Sequence, residues 1–397
     1  HIFPGAIDPH VHFDEPGFTE REDFYHGSCA AASGGITTVI DMPCTSLPPV
    51  TTLENLKNKL EIVQEKSVID FGFFGGVSNQ TYSDKNRNME ELANWVLGFK
   101  NYFISGMDSF QHLDHYQFLE VLKYSEKINR PILLHAEDLS YVKKAELIES
   151  KKGDNWINYY RSRPEVAEIM AVQNALTLAS TTNADLHIVH LGTAAAANLL
   201  ANHKNVSGET APHYLEFETN DLEKIGGALK TAPVVKPKGN AEELWKLLKK
   251  GTINFIASDH APAPNSQKNT GSAWQDYAGI PGSGTLFPYF YSEGYRKRDI
   301  NLADFLRITS EGAARRYGIF DRKGSIAEGK DADLILLNSD AKWTVKGKEF
   351  FSKGKITPFE EYKFQGRIEK TLVQGKVVFD HGRGFVQKPG TGQFIKR

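Results

Sequence analysis

The sequence predicts an α/β protein built on a parallel (β/α)8 barrel and followed by a smaller β-rich segment. Three observations predict it. Short apolar runs alternate with longer amphipathic ones through the first three-quarters of the 397 residues, which is the pattern of βαβ units on a parallel sheet. Eight such runs occur, the number that a closed barrel needs. After about residue 320 the pattern changes to turns and strands without intervening helices.

The strands are expected at 5–12, 37–42, 68–75, 97–103, 131–135, 186–190, 206–210 and 254–260. Their apolar, β-branched and aromatic content fits staves buried on both faces. Helices are expected between them at 20–32, 53–64, 113–127, 164–180, 194–202 and 241–249, where apolar residues recur every three or four positions. In the tail, 324–337 reads as a turn and then a strand. The runs 368–373 and 376–379, joined by Gln374-Gly375, read as a hairpin. Residues 1–320 are therefore assigned to the barrel and 321–397 to the β-rich part.

Composition narrows the function. The 47 basic residues nearly cancel the 49 acidic ones, and a net charge of −2 offers no electrostatic reason for a nucleic acid or an anionic membrane as partner. No apolar run reaches the length of about 18 residues that a membrane span needs. Two cysteines cannot form a disulfide framework, and nothing at the start resembles a signal peptide. A cytoplasmic protein is expected.

The chemistry gathers at strand ends. In Asp8-Pro9-His10-Val11-His12 the two histidines are i and i+2 on a strand, so they share a face. Two adjacent imidazoles suit a divalent metal such as zinc, although a hydrogen-bonded histidine pair is the plainer reading. Three more strands add polar ends: His135, His190 and Asp259-His260. His187 and His190 differ by three, so only one of them is expected to face the barrel axis, and His190 is nearer the mouth. Active sites of this fold gather at the C-terminal ends of strands. Lys100 stands inside an apolar strand. It either snorkels from an edge or is a buried, uncharged amine. Such an amine can take up CO2 to form a carbamate whose two oxygens bridge two cations.

His10-Val11-His12, Gly98-Phe99-Lys100, His135, His190 and Ser258-Asp259-His260 resemble the metal motifs of the cyclic amidohydrolases. This group includes dihydroorotases, hydantoinases and allantoinases. The resemblance runs from Pro4 to the C-terminus. It implies two divalent ions, zinc first, with iron, cobalt or manganese as alternatives. His10, His12 and Asp259 would hold one, His135 and His190 the other, and N6-carboxylated Lys100 would bridge them. Such a site makes hydroxide available near neutral pH and polarises a carbonyl. Asp259 would take the proton of the attacking water and pass it to the leaving nitrogen. The resemblance also implies a small β-sandwich built from both chain ends. The chain begins His1-Ile2-Phe3-Pro4-Gly5 without Met, and the N-terminal share of the sandwich, about 50 residues by that resemblance, is expected to be missing. A homo-oligomer, dimer or tetramer, is expected.

The resemblance implies a small cyclic ureide as substrate. Dihydroorotases resemble His-Leu-Arg-Glu-Pro-Gly after the paired histidines, where the arginine holds a carboxylate. Here the run is His12-Phe13-Asp14-Glu15-Pro16-Gly17, and Asp14 would repel that group. Their asparagine after Met-Pro is Cys44 here. Asp41-Met42-Pro43, Pro48, Ser162-Arg163-Pro164, Gly208-Glu209-Thr210-Ala211-Pro212-His213-Tyr214, Gly279-Ile280-Pro281-Gly282 and Gly392-Gln393-Phe394-Ile395 are instead similar to allantoinases. The run Gly17-Phe18-Thr19-Glu20-Arg21-Glu22 lacks the arginine and tryptophan that allantoinases commonly carry. Hydrolysis of allantoin to allantoate is the main expectation. Dihydroorotase and hydantoinase or dihydropyrimidinase chemistry are the alternatives. A non-enzymatic scaffold relative would have lost the metal ligands, and here all six are in place. Thr231, Ala232, Gly279 and Pro281 are expected to meet the substrate through backbone groups; their plainer reading is turns. His213 is expected to be a satisfied core or loop histidine, and Cys44 a packing residue at the mouth.

Overall fold

The computed structural model describes residues 1–396, so Arg397 of the β-rich segment lies outside the described residues. Strand β1 (Ile2–Pro4) is followed at once by β2 (Ala6–Val11), β3 (Ile36–Asp41), β4 (Asp70–Phe73), its short continuation β5 (Gly75–Gly76), β6 (Phe99–Tyr102), β7 (Ile132–His135), β8 (Leu186–Ile188), β9 (Val206–Thr210) and β10 (Phe255–Ile256). From β2 to β10 every neighbouring pair is parallel. The sheet order β10-β9-β8-β7-β6-β5 continues through β4 into β2-β3-β4. A bridge between Val11 and His260 joins the two ends, so β4 and β5 count as one stave and the barrel has eight. The staves are buried on both faces, as a sheet wrapped by helices requires.

Several boundaries differ from the sequence reading, some of them for identifiable local reasons. The helix expected at 20–32 is Phe24–Ser33, because Asp23 caps it by accepting the His26 backbone N–H. It ends at Gly34, and Gly35 turns into β3 with φ +87°, where a side chain would be strained. The strands β8 and β10 stop at Ile188 and Ile256, short of the expected 190 and 260. The residues just beyond carry the site.

The second layer is a five-stranded antiparallel sheet, β1-β11-β12-β13-β14, with β11 (Leu334–Thr344), β12 (Lys363–Val373), β13 (Lys376–Asp380) and β14 (Gly384–Phe385). Both chain ends build it, since β1 pairs with β11. Gln374 and Gly375 turn the expected hairpin with φ 51° and 76°, as a tight primed turn requires. Two segments cross the boundary expected at 320. Residues 2–4 belong to the sheet, and Phe394 returns to the barrel, 5.8 Å from Phe71 and 5.2 Å from Phe73 between ring centres. No helix among the described residues is long and apolar enough to cross a membrane.

Lys323 ties the two layers together. Its buried ammonium contacts Asp70 of β4, Asp331 at 2.9 Å and Asp333 at 2.6 Å. The cation occupies the centre of this acidic cluster. Lys323→Met would leave the carboxylates facing one another out of water, so a loss of about 3–5 kcal/mol is expected. Urea unfolding measures it; a loss below about 1 kcal/mol would mean that the cluster is solvated or protonated.

Candidate metal centre and substrate cleft

His10 lies on β2 and His12 just beyond it, on the same inward face; their ring centres are 5.4 Å apart. The closure of the barrel brings Asp259 to them. The His12 amide donates to the His260 carbonyl at 2.7 Å. Beneath it, the Asp8 carboxylate accepts from the Ser258 backbone N–H (3.0 Å), the Ser258 hydroxyl (2.5 Å) and the Ser283 hydroxyl (2.8 Å). Asp259 Oδ1 is then 3.2 Å from His10 Nε2 and 3.4 Å from His12 Nε2. The ligand atoms of these three residues lie within 4.8 Å of one another.

His135 ends β7, and His190 follows β8. Their Nδ1 and Nε2 atoms face each other at 2.9 Å, and the His190 ring centre is 5.4 Å from that of His10. Lys100 on β6 is fully enclosed, and its Nζ lies 4.9 Å from the centre of the Tyr102 ring. Tyr102 in turn stacks on the His135 ring, 5.4 Å away between centres. The six predicted groups therefore face one space.

That space is short of partners. Lys100 Nζ and His10 Nε2 are buried and make no hydrogen bond, which costs free energy unless a ligand satisfies them. Burial lowers the imidazoles of His10, His135 and His190 below their ordinary value, so they are neutral nitrogen bases. Burial also lowers the Lys100 amine to about 8. His12 goes the other way, to about 10: burial opposes its charge, but Cys44 and Asp259 outweigh it. A cation is therefore favoured beside Asp259. Burial likewise opposes ionisation of Asp259, but the neighbouring imidazoles hold its carboxyl well below the ordinary range. Neutral imidazoles, an ionised carboxylate and an activated amine form a donor set suited to divalent ions.

The expected alternation at β8 does not hold. His187 was expected to point away from His190, yet both join the interior network, because the strand stops at Ile188 and His190 adopts φ 38°. His187 Nε2 lies 3.2 Å from Glu209 Oε2, and Glu209 Oε1 lies 2.5 Å from His10 Nδ1. Glu209 thus orients His10. A second support runs from Arg163 through Glu137 (2.7 Å) to His135 Nε2 (3.0 Å). Burial works against the Glu137 charge, but Arg163 and His135 hold the carboxyl well below its ordinary range. Glu209, Glu137, Arg163 and Asp8 stand inside the motifs, but no sequence signal assigned them these supporting roles.

A cleft of about 620 Å³ opens beside His135 and is lined by Tyr102, Tyr159, Arg163, Lys230 and Ala232. The substrate-loop expectations divide here. Ala232 lines the cleft, and the buried Thr231 hydroxyl has no partner. Gly279 donates its N–H to Lys230 and accepts Lys268 Nζ on its carbonyl, so its backbone groups are already engaged. Pro281 instead lines a separate cavity of about 250 Å³ between barrel and sheet. His213 is not satisfied as expected: it is buried, neither ring nitrogen has a partner, and burial lowers it to about 4. Cys44 packs 2.9 Å from the Tyr102 hydroxyl and 3.8 Å from His12 Nδ1.

The chain matches the amidohydrolase family over residues 1–378. It is 35% identical over 402 residues to an allantoinase of Rubrobacter xylanophilus, covering 100% of this chain and 87% of the relative. It is equally identical, with the same coverage, to an allantoinase of Bacillus velezensis. Among solved structures it is similar to an L-hydantoinase (dihydropyrimidinase) from Arthrobacter aurescens, with a TM-score of 0.95 at 29% identity, covering 100% of this chain and 89% of that one. A dihydropyrimidinase from Brevibacillus agri gives 0.92 at 29% identity, covering 100% and 88%.

Proposed function

The chain belongs to the amidohydrolase family, and from that premise we propose that it opens a cyclic ureide ring by hydrolysis, with allantoin as substrate and allantoate as product. The observation that carries this is the convergence of six side chains on one partner-poor space at the barrel mouth. His10, His12 and Asp259 would hold one divalent ion, His135 and His190 a second, and Lys100, carboxylated on Nζ, would join the two. Zinc suits the imidazole-rich donor set, and iron, cobalt or manganese also fit it. Bound ions would supply a nucleophilic hydroxide near neutral pH and polarise the scissile carbonyl.

The chain's own groups do the rest. The Asp259 carboxylate, held ionised by the neighbouring imidazoles, accepts the proton released as water attacks and returns it to the departing nitrogen. Without that proton an amide nitrogen leaves poorly. Glu209 and the Arg163–Glu137 pair fix the rings of His10 and His135.

Dihydroorotate fits poorly, because Asp14 and Cys44 stand where its carboxylate would need partners. Hydantoin or dihydrouracil opening is the second reading, favoured by the likeness to the Arthrobacter aurescens structure. A panel of allantoin, hydantoin, dihydrouracil and dihydroorotate on metal-replete enzyme tests the assignment. The highest kcat/KM is expected for allantoin; a preference for dihydroorotate would overturn it. Glu209→Gln disrupts the carboxyl contact that orients His10, so metal affinity should fall about ten- to a hundredfold. Competition with a chelator measures that loss, and unchanged affinity would remove Glu209 from the support.

A further inference from the structure

Asp259 must be aimed to act, and its backbone alone does not favour the aim. It adopts φ 49°, a left-handed conformation that a non-glycine residue keeps only where its surroundings impose it. Both neighbours are fastened. Ser258 is held by the Asp8 carboxylate. His260 is fully buried, and each of its polar atoms is engaged. Its carbonyl accepts the His12 N–H at 2.7 Å, and its own N–H donates to the Ser258 hydroxyl at 3.0 Å. The Ser283 N–H donates to its Nδ1 at 3.2 Å. The ring proton is thereby left on Nε2, which lies 3.1 Å from Glu22 Oε2. Phe13 meets the same ring edge-on, 5.6 Å away between centres. A flipped ring would lose both side-chain bonds.

Glu22 is 238 residues away from His260 in sequence and is itself fully buried. Its carboxyl is placed from the connection between β11 and β12. The Ser352 hydroxyl donates to Oε2 at 2.5 Å, and the Lys353 N–H donates to Oε1 at 3.3 Å. Ser352 and His260 both line the cavity of about 250 Å³ between barrel and sheet. The series Ser352, Glu22, His260 therefore runs from the β-rich layer to the residue that follows Asp259. None of the three lines the substrate cleft or belongs to the six proposed ligands.

We propose that Glu22 and His260 are positioning residues that aim the Asp259 carboxylate, and that the β-rich layer sets that aim through Ser352. The bonds fix the His260 ring, and the ring fixes the backbone that leaves Asp259. A proton carrier works only within hydrogen-bond reach of the reacting atoms, and a misplacement of about 1 Å costs about a hundredfold. This deepens the ring-opening activity proposed above and rests on the role given there to Asp259.

The test measures kcat, KM and metal content at saturating metal for Glu22→Gln and Ser352→Ala, each alone and combined with Asp259→Asn. Glu22→Gln should lower kcat about ten- to a hundredfold. Ser352→Ala, which removes one hydrogen bond, should lower it about tenfold. KM and metal content should stay near wild type. Ser352→Thr keeps a hydroxyl beside the cavity and should recover most of the turnover lost in Ser352→Ala. Beside Asp259→Asn neither change should lower kcat further, because the group they aim is already gone. Ser352→Ala decides the matter if thermal melting shows that Glu22→Gln does not fold. Wild-type kcat in the folded single variants, undiminished losses beside Asp259→Asn, or a loss confined to limiting metal would overturn the inference and leave Asp259 as the proton carrier. Wild-type turnover in Asp259→Asn alone would overturn both.

Discussion

Asp259→Asn should abolish ring opening, lowering kcat by about three to four orders of magnitude, while the protein folds and melts as before. The side chain is isosteric, and Asn tolerates the left-handed φ of 49° at this position. The amide oxygen can still face the His10 and His12 nitrogens 3.2 and 3.4 Å away. What is lost is the basic oxygen that takes up a proton and returns it to the leaving nitrogen. Steady-state turnover beside a thermal melt separates the two effects. Turnover near wild type would reject Asp259 as the proton carrier, and a collapsed melt would show that the residue holds the fold.

Lys100→Met should have two effects of opposite sign. Metal content by elemental analysis should fall to half or less, since the proposed bridge disappears, and activity with it. The metal-free variant should be more stable than the metal-free wild type by about 1–3 kcal/mol, because an enclosed amine without a partner is replaced by an apolar side chain of similar size. Full metal stoichiometry would argue against a bridging carbamate. A less stable metal-free variant would mean that the amine is satisfied in some other way. Carbamate formation needs the unprotonated amine. With Lys100 lowered to about 8, bicarbonate-dependent reconstitution should be faster at pH 8 than at pH 6, where the amine is almost wholly protonated.

The proposed metal ligands were legible because each sits at or just beyond a recognisable apolar run. His10 and His12 share a face by strand parity, and Lys100 is conspicuous in an aromatic stave. Their supporting groups were not legible. Glu209 is 199 residues from His10 and Arg163 is 26 from Glu137, and no local periodicity records such pairings. His187 shows the limit of parity, which fails once the strand ends and the backbone turns left-handed at His190. Gly279 and Pro281 show another limit. Small-residue loops resemble binding loops in sequence, but only the fold reveals that the Gly279 backbone is already engaged by Lys230 and Lys268.

The sequence by itself determined the alternation of staves and helices, the hairpin at Gln374-Gly375 and the kinds of donor atom brought to the barrel mouth, because periodicity and residue chemistry are local properties of a chain. Tertiary structure alone decided which of those donors go unpaired and how β1 and Phe394 tie both termini to the rest. Those outcomes depend on which groups closure of the barrel brings together across hundreds of residues, and on how much water that closure excludes.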